Sequence, residues 1–279
     1  MGKNKAYKKP PSVQKAVIWF ILAVGAIVMM TPIIFMFSAS FKYSDEIFSL
    51  NLFPSEPTLS NYIYLFEETS FFTWMKNSFI VSSVVTISVL FFDALIGYTL
   101  CKFRFRGRKI IFIAILSTLM IPTEMLVIPW YVLSKNLGLI DSYFGLMFPG
   151  LMSGFGVFLM KQFFENVPND LIDAARIDGV GEFKIFIEIA LPLVAPALSA
   201  LAIFTFLGNW TAFLWPMIVT TSADLYTIPV GLASFSGEFQ TEWEMIMTGA
   251  AVASLPTLFV FLFLQRYIIR GIILGSLKG

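Results

Sequence analysis

The chain of 279 residues has no histidine, one cysteine, and charge on only 13% of its positions. The absence of histidine excludes imidazole-ligated metal sites, Ser-His-Asp triads and histidine proton relays. A lone Cys101 excludes an internal disulfide. No G-x-x-x-x-G-K-[ST] run occurs, so the chain holds no phosphate-binding loop of its own. The one G-x-G, at Gly154-Phe155-Gly156, lies in an apolar run and reads as a close helix contact rather than a dinucleotide turn. With a net charge of only +1, no nucleic-acid partner is expected.

What is present is hydrophobic sequence. At 57% hydrophobic residues, there is too little polar surface to wrap one soluble core, so the chain reads as all-α and polytopic in a membrane. Apolar runs at 16–41, 77–101, 110–134, 142–160, 189–223 and 245–264 each approach or exceed the length of about 20 residues that a spanning helix needs. The first run is too long for the roughly 7 to 15 apolar residues of a cleaved signal, so it is expected to stay as a span. With the N-terminus inside, six crossings leave only Lys42, Lys76 and Lys135 of the 19 basic residues outside. Both termini are therefore expected in the cytoplasm. The outer connections, 42–73 and 220–244 among them, are acidic, and the longest inner connection runs from 161 to 190. No internal repeat is found, and 1–279 reads as one membrane domain with a cytoplasmic tail at 265–279.

Two acids fall inside these spans. A carboxylate at mid-helix costs about 2.5 to 3.5 kcal/mol on insertion, which a dozen apolar neighbours offset. Asp93 reads either as a functional group or as an acid reaching the inner face or bonding a neighbouring helix. Glu124 follows Pro122, where a broken helix is expected, and lines either a pathway or a packing contact.

The inner connection contains DLIDAARIDGVGEF, residues 170–183. Asn169 or Asp170 is suited to cap a short helix, and Gly179 to end it in a left-handed turn. Phe183, Phe186, Ile187 and Ala190 then continue with helical spacing. A helix of about eight residues is marginal alone, so something must hold it. Its polar face, Asp170, Asp173 and Asp178 against one Arg176, disfavours an anionic lipid surface and favours a protein partner.

Asp173-Ala174-Ala175, then Gly179, then Ile189-Ala190-Leu191-Pro192 resembles the EAA loop of membrane subunits in binding-protein-dependent ABC importers. Trp210 with Phe213, Trp215-Pro216, Tyr226-Thr227 and the ending from Gln265 to Gly279 are similar to the carbohydrate-uptake branch, the MalG-like permeases. The chain departs from that pattern at Asp173, where the family has glutamate, and at Thr211, where many members have asparagine. The resemblance implies a MetI-like, type I importer fold of six spans in a bacterial or archaeal cytoplasmic membrane. It implies a MalF-like second permease, two copies of a cytoplasmic ATPase that use ATP and Mg, and an extracytoplasmic sugar-binding protein. No cofactor and no catalysis are expected of this chain itself. Asp173, Ala174, Ala175, Arg176, Asp178 and Gly179 are then the expected ATPase-coupling residues, with Ser276, Leu277, Lys278 and Gly279 as a second ATPase contact.

Sugars are bound by aromatic faces beside hydrogen-bonding groups. Glu124, Tyr131, Asn209, Trp210 and Thr211 are the expected pathway residues for a carbohydrate, an oligosaccharide by this reading, while Trp130 and Trp215 near span ends read as interface anchors. Phe235, Glu238 and Trp243 are expected to meet the binding protein. An ion-coupled secondary transporter is the alternative, and would require ion sites in discontinuous spans.

Overall fold

The structure, a computed structural model, describes residues 12–49, 51–237 and 240–276, with the backbone alone for residues 12 and 264–276. The long elements are all helical. In order they are α1 (Ser12–Ala39), α2 (Ser60–Glu67), α3 (Phe71–Lys102), α4 (Arg108–Thr118) and α5 (Thr123–Asn136). Then come α6 (Tyr143–Met147), α7 (Gly154–Glu165), α8 (Asn169–Ile177) and α9 (Glu182–Lys184). A π-helical stretch at Ile185–Ala190 leads into α10 (Leu191–Leu193), followed by α11 (Ala195–Trp210), α12 (Leu214–Val219), α13 (Ile228–Ala233) and α14 (Trp243–Ser276).

α1, α3 and α14 are each long and apolar enough to cross a membrane. Three further pairs pass the same test only when joined across a bend: α4 with α5 at 99°, α6 with α7 at 46°, and α9 to α10 with α11 at 84°. With each bent pair counted as one span, the total is the expected six. The runs at 142–160 and 189–223 thus carry bends, and the broken helix expected at Pro122 within 110–134 is present.

Two of the three bends have a local cause. Pro122 precedes α5 and has no N–H to continue α4. The third bend lies between Pro192 and Pro196, both lacking that donor, and the ladder is already widened by the π-helical turn before it. The bend at 151–153 has no proline, and the groups it frees are taken up by α3: Ser88 Oγ donates to the Leu151 carbonyl at 2.7 Å, and Asp93 accepts from the Ser153 amide at 3.1 Å. Asp93 thus bonds a neighbouring helix, one of the roles the sequence allowed.

α3 is the central post. It packs along α7 on one side and α11 on another, while α11 continues the core to α14 and α1 rests mainly on α14. Val85, Val89, Tyr98, Met160, Phe164 and Leu201 form part of the enclosed apolar cluster at the α3, α7 and α11 junction. Two glycines permit the α3–α7 approach. A Cβ on Gly97 would lie 2.8 Å from the Lys161 amide nitrogen, and one on Gly156 only 2.1 Å from Asp93 Oδ2.

The connections expected outside are ordered by polar groups. Lys42, completely enclosed, donates to the Asn51 carbonyl at 2.6 Å and to Ser49 Oγ at 3.1 Å, while Asn61 donates to the carbonyls of Ser40 and Lys42. Farther along, Asn77 at the top of α3 grips the carbonyls of Asp224 and Tyr226 at 2.7 and 2.9 Å. Of the expected loops, 42–73 includes α2 and 220–244 includes α13. α7 stays helical to Glu165, into the connection expected to begin at 161.

Candidate functional site

The inner connection is a helix held from one side. α8 sets Ile172 and Ala175 into the core, at 1% and 7% exposure, beside Tyr98, Phe164 and Phe186. On its other side Leu171 is 47% exposed and Ile177 86%, with Ala174 and Asp178 also exposed. These outward residues recur at helical spacing, so the helix is apolar on two faces and only one is covered.

The start of α8 differs from expectation. Neither Asn169 nor Asp170 caps it, and Pro168 stands at the cap position. Asn169 instead offers Oδ1 to Lys102, whose Nζ donates to it at 2.9 Å and to the Val167 carbonyl at 2.6 Å. The last residue of α3 therefore fixes the entry to the loop. Its exit follows expectation. Gly179 has φ +77°, its amide bonds the Arg176 carbonyl, and the Val180 amide bonds the Ala175 carbonyl, each at 3.0 Å. This left-handed closure satisfies two terminal carbonyls and places Val180 against the core.

Arg176 joins the two short helices. Its Nη1 donates to Asp173 at 2.9 Å, its Nε and Nη2 grip both oxygens of Glu182 at 2.6 and 3.2 Å, and its guanidinium lies 5.7 Å from the Phe103 ring centre. The bond to Glu182 raises the Arg176 pKa further, keeping the cation fixed. The pair network is surface-exposed and contributes alignment more than stability. The six expected coupling residues thus divide: Ala175 turns inward, the half-buried Arg176 and the exposed Asp173 are paired on the flank, Ala174 and Asp178 face out, and the exposed Gly179 closes the helix.

A cleft of about 620 Å³ separates this unit from the 102–108 turn and is lined by Lys102, Arg104, Arg108, Asp173, Arg176 and Glu182 among others. Beyond Glu182 the face changes period. Ile185, Phe186 and Ala190 are enclosed, while Phe183 and Ile187 are exposed, because a π-helical turn carries more residues than an α-helical one.

The other expected site residues are scattered. Glu124 is exposed in the first turn of α5, without a hydrogen-bond partner among the described residues. Tyr131 lines a cavity of about 360 Å³ with Val127, Ile128 and Ile218. Asn209 bonds the Thr205 carbonyl in its own helix, and the exposed Thr211 bonds that of Leu207. The expectation of an open aromatic face at Trp210 is corrected. Its ring is 3% exposed, stacks on Phe206, and donates to the Ala253 carbonyl of α14 at 3.1 Å. Trp130 and Trp215 pack edge to face at 5.8 Å, and Trp215 donates to the Gly145 carbonyl. Phe235 packs against Trp74, while Trp243 is 40% exposed beside Phe48 at 75%. Glu238, Leu277, Lys278 and Gly279 lie outside the described residues, and only the backbone of Ser276 is described. Among the described residues no cluster able to hold a metal ion occurs.

Lys102, Glu182 and Ser153 escaped the sequence reading. Ser153 had a usable signal, a serine just before an apolar helix and three residues ahead of Gly156, whose amide it accepts at 2.8 Å.

Known proteins agree with this architecture. The chain is 38% identical over 253 residues to the arabinooligosaccharides transport system permease protein AraQ of Bacillus subtilis, covering 89% of this chain and 90% of the relative. It is 32% identical to the sn-glycerol-3-phosphate transport system permease protein UgpE of Brucella abortus, covering 91% and 94%. Its fold superposes with a TM-score of 0.82 on a chain of a bacterial ABC transporter involved in the import of the acidic polysaccharide alginate, at 22% identity, covering 95% of this chain and 99% of that one. Residues 93–274 match a family that starts at the enclosed Asp93 and takes in the α8 loop, so this protein belongs to the binding-protein-dependent transport system inner membrane components.

Proposed function

We propose that this chain is one of two unlike permeases in an ATP-driven importer of an oligosaccharide. The observation that carries the reading is the half-covered α8: one apolar face is locked into the permease core, while Leu171, Ala174 and Ile177 form a second face left exposed by the described residues. An exposed apolar helix face with an acidic rim suits a groove on a protein with basic edges. The partner is a cytoplasmic ATPase, present in two copies, each holding its own ATP and Mg. The second permease, MalF-like, completes the pathway, and a sugar-binding protein delivers substrate outside. Both termini lie in the cytoplasm.

The stronger identity to an arabinooligosaccharide permease than to a glycerol phosphate permease favours a sugar oligomer. Within the chain, Tyr131, Asn209, Thr211 and Glu124 remain the candidates to line its path, and the exposed Trp243 with Phe48 is the candidate platform for the binding protein. ATP-driven closure of the ATPases would move α8 and rotate the spans fixed to it.

The test is gentle purification of the tagged chain from its native membrane, followed by mass spectrometry of what accompanies it. A stoichiometric P-loop ATPase and a second permease are expected, with the ATPase lost on Asp173→Lys or Ile177→Asp while the chain still inserts. A homo-oligomer without ATPase would overturn the reading in favour of ion-coupled transport.

A further inference from the structure

α3 holds α7 at both ends. At the upper end Asp93, enclosed within a membrane span, accepts the Ser153 amide on both oxygens at 3.2 and 3.1 Å and the Ser153 hydroxyl at 2.8 Å. Ser88 takes up the Leu151 carbonyl on the other side of the same bend. At the lower end Lys102 holds the Val167 carbonyl and Asn169. Between them Gly97 brings the α3 backbone against Met160 and Lys161.

A buried acid is an expensive way to satisfy one serine, because a neutral side chain of similar size could accept the same amide. What the acid adds is charge-assisted bonding at the positive end of α7, which stiffens the bend where the span would otherwise yield. α7 has 12 residues, about 18 Å of helix, and is joined to α8 by the short turn at 166–168. The bend and the exposed α8 face are therefore the two ends of one lever.

We propose that Asp93 and Lys102 are positioning residues that rivet α7 to α3, so that motion received at α8 reaches the central post instead of dissipating at the 46° bend. This rests on the coupling role given to α8 above. Neither residue touches substrate; each acts by keeping α3, α7 and α8 one rigid body. α3 also packs along α11, so the same body carries the helix bearing Asn209.

The experiment uses the purified complex in lipid nanodiscs, with Cys101→Ser and spin labels at Ile87→Cys on α3 and Gln162→Cys on α7, both exposed positions. The label-to-label distance is read by pulsed electron resonance without nucleotide and after trapping with ATP and vanadate. The riveted pair should give one narrow distance, unchanged by trapping. Asp93→Ala should at least double the width of the distribution or shift it on trapping, and Asp93→Asn, which keeps one acceptor for the Ser153 amide but loses the charge and the second acceptor, should fall between Asp93→Ala and the unaltered pair. Lys102→Met, at the membrane face, gives a second variant that does not depend on burying an altered side chain, and should loosen the lower end. A distance that changes with nucleotide in the unaltered pair, or Asp93→Ala and Lys102→Met both matching it, would overturn the proposal. Failure of an ATPase to accompany the chain is a separate result that strikes the transport reading, and the nucleotide-free widths still decide on the rivet.

Discussion

Lys42 and Asp93 are both completely enclosed, yet the bonds Lys42 makes reach seven and nine residues along the chain whereas those of Asp93 reach sixty. Around Lys42 the 42–51 chain folds back on itself, and the enclosed cation gathers the Asn51 carbonyl and the Ser49 hydroxyl. Around Asp93 two spans are joined at a bend. Each enclosed charge is tolerated because it is hydrogen-bonded. The difference lies in what becomes rigid: a surface loop in one region, the frame of the transmembrane core in the other.

That contrast is sharpest for Asp93→Leu. The partly buried Ser153 amide and hydroxyl lose their acceptor, at about 1 to 3 kcal/mol each, so a loss of about 2 to 6 kcal/mol is expected. Thermal unfolding of the purified complex followed by size-exclusion chromatography measures it, and an unchanged midpoint would erase the distinction drawn between the two charges. Gly179→Val comes next. At φ +77° a branched side chain is strained by about 1 to 2 kcal/mol, and the distortion falls on the α8 exit. Retention of the ATPase on the tagged chain should fall severalfold while insertion is unaffected; normal retention would show that the turn has another route.

Lys42→Met should do less. Its carbonyl partners lie near the outer surface where water replaces the ammonium, so about 1 kcal/mol is expected, at the ordinary worth of hydrogen bonds lost to solvent. Protease cleavage within 43–51 should accelerate and ATPase retention should not change. A loss of coupling in that variant would make the outer loop part of the lever.

The smallest effect belongs to Asp141, where the amides of Ser222 and Thr221 donate to one carboxylate oxygen at 3.0 and 2.8 Å and hold its pKa below the ordinary value. Because the folded pKa is lowered, this stabilisation is present above the ordinary carboxylate range and disappears as pH falls through the lowered value. Asp141→Asn tolerates the residue's φ of 56° and removes the titration. Melting curves of the two proteins should converge at acid pH and separate slightly near neutrality; parallel profiles would show that the carboxylate is not linked to folding.

Much of this was legible in the chain. Runs of apolar residues mark the six spans, Pro122 marks a break, and Gly179 marks the end of α8, because each is a local property of composition or backbone freedom. The bend at 151–153 was not legible, since what permits it is Ser88 and Asp93, more than fifty residues earlier. The same holds for the start of α8, where a side chain from α3 takes the asparagine expected to cap the helix. Trp210 misled for a related reason: an indole beside Asn209 and Thr211 suits a sugar site, but α14 supplies an acceptor from 43 residues away and claims the ring. Local pattern reports which elements form, while long-range acceptors decide which polar groups remain free.

Gly97 and Gly156 also have a consequence at the level of the gene. Any missense change at either codon adds a side chain where α3 and α7 leave no clearance, whereas α1 exposes most of its length and accepts many apolar residues. In a saturation-mutagenesis map of growth on the transported sugar, those two codons would stand out as cold spots against a permissive first span, tracing the frame of the protein by the variants it rejects.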